Sequence, residues 1–114
     1  MRSIYLLLLA FLAAPAASLA AEEKTPPVAL VLKDHKFEPA VIEVPAGQRI
    51  RIELANKDAS SDEFDSVDLK VEKEVTPHSK VVFFIGPLQP GTYKFMGELH
   101  PDTAQGEVHA VAKP

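Results

Sequence analysis

The sequence predicts an all-β fold, a β-sandwich of roughly seven or eight short strands in one domain. Three observations carry this. Apolar and charged residues alternate with a period of two in several segments, which buries one face of an extended chain and wets the other. Turn residues, drawn from ten prolines and five glycines, punctuate those segments. No segment spaces its apolar residues by three and four over a helical length. With 114 residues, 46% hydrophobic and 25% charged, the chain has the balance of a single globular domain.

Residues 1–20 are expected to stand outside that domain. Arg2 supplies a positive start, residues 4–14 (IYLLLLAFLAA) are an unbroken apolar run, and Pro15 breaks any helix. Ser18-Leu19-Ala20 then places small residues three and one positions before a cut. That is the layout of a secretory signal peptide. A membrane anchor needs about 20 apolar residues, and this stretch nears that length only by including Pro15 and Ser18. Cleavage after Ala20 exports the chain, most simply to a bacterial periplasm, and leaves no membrane span.

Residues 21–27 read as a flexible N-terminal arm, polar and ended by Pro26-Pro27, and residues 28–114 as the folded domain. Residues 28–32 form a short apolar strand. Residues 41–44 form another, stopped by Pro45-Ala46-Gly47. Ile50, Ile52 and Leu54 alternate with Arg49, Arg51 and Glu53; Val67, Leu69 and Val71 alternate with Asp68, Lys70 and Glu72. Residues 81–85 are a continuous β-branched and aromatic run, suited to a central strand. After the turn Gln89-Pro90-Gly91, Tyr93 and Phe95 alternate with Lys94 and Met96. Gly106 opens a last strand with Val108, Ala110 and Ala112 on one side.

Composition narrows the chemistry. There is no cysteine, so disulfides, Cys-ligated zinc or iron–sulfur clusters and a thiol nucleophile are excluded. A blue-copper centre, which needs a Cys thiolate, is excluded with them. A net charge of −4 argues against nucleic acid as a partner. No phosphate loop or hydrolase signature occurs.

Two loops carry the unusual residues. The first, residues 56–66 (NKDASSDEFDS), holds Asp58, Asp62, Glu63 and Asp65. The second, residues 96–106 (MGELHPDTAQG), holds Met96, Glu98, His100 and Asp102. Loops on a rigid scaffold are where sites are built. Histidine is the commonest metal ligand, and nearby carboxylates add oxygen donors. Met96, Glu98 and His100 share one face if the strand runs through them. The plain alternatives are a solvated acidic turn and a lone loop histidine. His35, His78 and His109 read as surface residues. Met96 suits either a soft metal donor or packing beside Phe95.

The order FEPAVIEVPAGQRIRIELAN, an acidic loop ending in EF, GPLQPGTYKFMGELHP and a final Gly-led strand resembles the cupredoxin family over residues 28–112. The resemblance implies a Greek-key β-sandwich with a metal site at one end. It also exposes departures. The family's Cys position is Gly97, its upstream His position is Asp62, and its axial Met position falls near Thr103; only His100 is kept. DEFDS and GELHPDTAQG resemble more narrowly the small periplasmic cupredoxin-like proteins encoded beside bacterial iron permeases. That subgroup implies a role in ferrous iron uptake.

A ligand set drawn from Asp62, Glu63, Asp65, Glu98, His100 and Met96 is mostly oxygen with one imidazole, which suits iron, or Cu(II) over Cu(I). The expected function is therefore a periplasmic iron- or copper-binding accessory of iron uptake. Its expected partners are a membrane iron permease or another periplasmic iron-binding protein. A ferroxidase oxidising Fe(II) for the permease is the second reading, and an interaction domain without metal the third.

Overall fold

In the computed structural model of the chain, residues 25–113 are described; the expected signal peptide and the start of the arm lie outside them. Alternation is plainest in β4 (Ile50–Asn56), where Ile50, Ile52, Leu54 and Asn56 are buried and Arg51 faces solvent. The same period sets β1 (Val28–Lys33), with Leu30 and Leu32 inside, and β3 (Val41–Pro45), with Ile42 and Val44 inside. Between them β2 (Lys36–Glu38) buries only Phe37. The remaining strands are β5 (Asp62–Ser66), β6 (Val71–Val75), β7 (Lys80–Ile85), β8 (Gly91–Gly97) and β9 (Gln105–Val111).

Among the described residues nine strands form two sheets, in the orders β2-β1-β4-β7 and β3-β9-β8-β5-β6. Most pairs are antiparallel; β1/β4 and β3/β9 are parallel. The core between the sheets holds Leu30, Ile50, Leu54, Val44 and Val108, all at most 1% exposed. Its centre is a phenylalanine cluster. Phe64 lies 4.7 Å from both Phe83 and Phe95, and Phe37 meets Phe95 edge-on at 5.1 Å, the offset arrangements aromatic quadrupoles favour. Gly106 sits where Phe95 crosses it; a Cβ there would come within 2.3 Å of the ring.

The all-β expectation holds, with differences of detail. Residues 81–85, expected as a central strand, form β7 at the edge of their sheet, with Val82 and Phe84 exposed, and the short β2 was not anticipated. The stretch DEFDS, read as loop, is strand β5, and residues 67–70, read as strand, are a turn. Alternation hid β5 because two of its inward positions are polar. Asp62 and Ser66 are buried at 1% and 4% exposure beside Phe64 at 2%. Each is satisfied by hydrogen bonds, Ser66 by donating to the Lys94 carbonyl at 2.6 Å and accepting from the Leu69 amide at 3.0 Å. Val67 is 86% exposed, and Lys70 has a left-handed φ of 57°. The Thr25 hydroxyl bonds the Gln48 side-chain oxygen, and among the described residues no strand precedes Val28.

Candidate functional site

Four connections meet at one end of the sandwich: β1–β2, β4–β5, β6–β7 and β8–β9. Asn56, 1% exposed, ties the β4–β5 and β6–β7 connections together. Its Nδ2 donates to the carbonyls of Ser60 at 2.8 Å, Thr76 at 3.1 Å and Val75 at 3.3 Å, and its Oδ1 accepts from the Asp58 amide at 2.9 Å. The His78 amide donates to the Asp58 carbonyl at 3.1 Å. The 58–62 segment is thereby pinned.

Asp62 is the hub of this end. Its Oδ1 accepts from the Glu63 amide at 2.8 Å and the Leu99 amide at 3.0 Å. Its Oδ2 lies 2.9 Å from His100 Nδ1. A carboxylate can only accept, so Nδ1 of His100 carries the proton and the lone pair of the neutral ring is on Nε2. The β8–β9 turn holds the ring in place. Ala104 donates its amide to the His100 carbonyl at 2.8 Å, and Gly97 donates to the Ala104 carbonyl at 2.8 Å.

Gly97 is required here for space. A Cβ on it would stand 2.6 Å from Asp62 Oδ2 and 2.7 Å from the Ala104 methyl. No side chain of any kind fits, least of all one that must share a metal with His100. A blue-copper centre therefore fits neither the composition nor the geometry. A metal-binding imidazole does fit. Metal-ligating histidines commonly donate their other ring N–H to a carboxylate, which sets tautomer and orientation, and the Asp62–His100 pair has that form.

His35, expected as a free surface residue, lies against His100: the ring centroids are 3.7 Å apart and the planes 15° from parallel. Asp34 and His35 form the two-residue turn between β1 and β2, both with positive φ, 53° and 57°. The Asp58 carboxylate holds that turn, accepting from the Asp34 amide at 2.8 Å and the His35 amide at 3.0 Å. Partial burial raises the Asp58 pKa, but those two amides and the neighbouring His35 and His100 rings outweigh it, and the carboxyl sits below its ordinary value.

The other expected residues face outward. Strand β8 ends at Gly97, so His100 does not continue the face of Met96 and Glu98 as the sequence suggested. Met96 is 41% exposed on the outer sheet face, across from Asp65, while its neighbour Phe95 is buried. Glu63 stands next to Glu98 and pairs across β5/β6 with Glu74; Asp65 pairs with Glu72. Partial burial raises the Glu63 pKa, and Glu98 raises it further through its charge and a side-chain hydrogen bond, followed by the charges of Glu72 and Asp65.

The expected ligands thus divide into an inner pair, Asp62 and His100, and an outer group, Glu63, Asp65, Glu98 and Met96. Among the described residues no three His, Asp or Glu side chains are arranged around one ion position. Sequence reasoning missed His35; the only available signal was Asp-His between two short strands, a two-residue hairpin that presents both side chains. His109 bonds Glu107 at 2.9 Å on the outer face of β9, and His78 is exposed in the β6–β7 turn.

Residues 3–110 match the family model described as cupredoxin-like domain. The chain is 46% identical over 79 residues to the uncharacterized protein RP394 of Rickettsia prowazekii (strain Madrid E), covering 69% of this chain and 63% of that protein. It therefore spans less than two thirds of that relative's length. Among solved structures it is similar to auracyanin A, a "blue" copper protein of Chloroflexus aurantiacus, with a TM-score of 0.66, 14% identity and coverage of 75% of this chain and 98% of that one. The metal-binding domain of the Streptococcus pneumoniae D39 Cu(I)-exporting P-type ATPase CopA gives a TM-score of 0.67, 15% identity and coverage of 75% and 84%. Amicyanin of Paracoccus versutus gives 0.59, 15%, 81% and 88% in the same order. At these identities the structural likeness shows the fold alone.

Proposed function

The chain belongs to the cupredoxin-like domain family, and from that membership we propose that it is an exported protein that carries iron or copper as an accessory of iron uptake. The observation that carries this reading is the Asp62–His100 pair. A buried carboxylate with three acceptor bonds holds one imidazole nitrogen, and the side chain of His100 keeps 27% of its surface exposed. That arrangement prepares Nε2 of His100 to receive a metal ion as cargo.

The nearby carboxylates of Glu63, Glu98 and Asp65 supply negative charge that raises the local concentration of cations and oxygen donors for a hard ion. Met96, exposed on the same outer face, adds a soft donor at its edge. A site with few protein donors leaves positions open to solvent and to a recipient, which suits handover better than permanent holding. The recipient on this reading is a membrane iron permease or another periplasmic iron-binding protein. The place of action is the periplasm, reached through removal of residues 1–20.

Calorimetric titration with Fe(II) under anaerobic conditions and with Cu(II) tests the reading. His100→Ala is expected to weaken binding by about tenfold or more, and His109→Ala to leave it unchanged. Equal effects of the two substitutions contradict it. Oxygen consumption with Fe(II) separates carrier from ferroxidase: a carrier binds without raising the rate above that of free Fe(II).

A further inference from the structure

The stack of His35 on His100 extends this metal-binding reading, and the inference rests on it. Both Nδ1 atoms face the pinned 58–62 segment: His100 Nδ1 is 2.9 Å from Asp62 Oδ2, and His35 Nδ1 is 3.6 Å from Asp58 Oδ2. The second distance is too long for a hydrogen bond, and His35 Nδ1 is buried without a partner. What the two rings expose is the opposite edge, which carries Nε2, on the side away from that segment. The side chains are 43% and 27% exposed.

The spacing of the rings matters as well. Two nitrogens bound to one tetrahedral ion at about 2.0–2.1 Å each stand roughly 3.4 Å apart, and the ring centroids here are 3.7 Å apart. A modest fanning of the rings about their Cβ–Cγ bonds turns both lone pairs toward a shared point. Packing does not account for the placement of His35. Its ring is outside the phenylalanine core, carried by a hairpin turn whose two residues have the positive φ values, 53° and 57°, that such turns require. Asp58 holds that turn through both amides.

We propose that His35 and His100 form a two-imidazole metal site, each binding through Nε2, with Asp62 orienting the His100 ring from behind and Asp58 holding the turn that carries His35. Two imidazoles shift preference within the divalent series toward Cu(II) over Fe(II). Two protein donors leave the remaining positions to water or to a recipient's ligands. Asp58 and Asp62 are positioning residues; neither contacts the ion.

Electron paramagnetic resonance with one equivalent of Cu(II) alone, read for the number of coupled imidazoles, tests this on the purified protein. Wild type should show two. His35→Ala and His100→Ala should each show one, with affinity lowered about tenfold or more. His35→Phe keeps an aromatic ring on His100 without a nitrogen and should behave as His35→Ala. His78→Ala, at the same end of the sandwich, should keep two. One imidazole in wild type, lost only in His100→Ala, overturns the inference and leaves the metal-carrier reading standing. Two imidazoles that persist in His35→Phe place the second donor elsewhere and also overturn it. Absence of both Cu(II) and Fe(II) binding overturns the inference together with the reading beneath it.

Discussion

Gly97 and Asp62 decide between them what this end of the molecule can be. The space next to Gly97 is filled by Asp62 Oδ2 and Ala104, at 2.6 and 2.7 Å from where a Cβ would be. Both neighbours are buried, so neither can move into solvent. Gly97→Ala is expected to lower stability by about 1–3 kcal/mol, the range for overpacking a dense interior, measured by urea unfolding. Gly97→Cys should not produce the intense blue absorption of a thiolate–Cu(II) centre, because its sulfur would meet the carboxylate that already holds His100. A strong blue band after Cu(II) loading would contradict this geometry. The family resemblance placed Gly97, Asp62 and His100 at positions of one site, but did not show that Asp62 would hold the His100 ring. His35 was not legible. It lies far from His100 in sequence, and nothing in a charged Lys-Asp-His-Lys turn announces the ring it will touch.

At the scale of elements, β5 joins the two halves of the site. Its inward residues Asp62, Phe64 and Ser66 fix the strand, and its outward residues Glu63 and Asp65 face Glu74 and Glu72 across β6. Like charges directly opposite are destabilising. Glu63, with its pKa raised by burial and then by Glu98, Glu72 and Asp65, binds its proton more tightly folded than unfolded. Its contribution to stability is therefore present below the ordinary carboxylate pKa and lost as pH rises through the raised one. Glu63→Gln should raise the melting temperature at pH 7, and the gain should vanish near pH 4. A lower melting temperature at pH 7 contradicts this account of the acidic face. The double variant Glu63→Gln/Asp65→Asn should meanwhile weaken Fe(II) or Cu(II) binding, measured by calorimetry, without loss of fold; unchanged affinity would return these carboxylates to a solvated surface. The strand itself escaped the sequence pattern because polar residues occupy its inward ends, and periodicity reads hydrophobicity rather than satisfied hydrogen bonds.

Across the whole molecule, the sandwich makes the site rigid. Phe64 packs against Phe37, Phe83 and Phe95 in the core while its chain neighbours line the outer face. Phe64→Ala should cost about 3–5 kcal/mol in urea unfolding, and a loss under 1 kcal/mol would mean that the aromatic cluster is not the centre of the core. The sandwich class and most strands could be read from alternation and turns. The parallel pairings β1/β4 and β3/β9 could not, since pairing partners distant in sequence leave no local mark. The central claim is that this cupredoxin-like fold offers metal an imidazole Nε2 held from behind by a carboxylate. Nitrogen-15 NMR of the histidine rings at about pH 8, where unperturbed imidazoles are neutral, tests it most directly, with Zn(II) added as a diamagnetic divalent ion. His100 is predicted to be protonated on Nδ1 and to shift at Nε2 when Zn(II) is added. A His100 ring protonated on Nε2, or one whose Nδ1 takes the metal, would contradict the account.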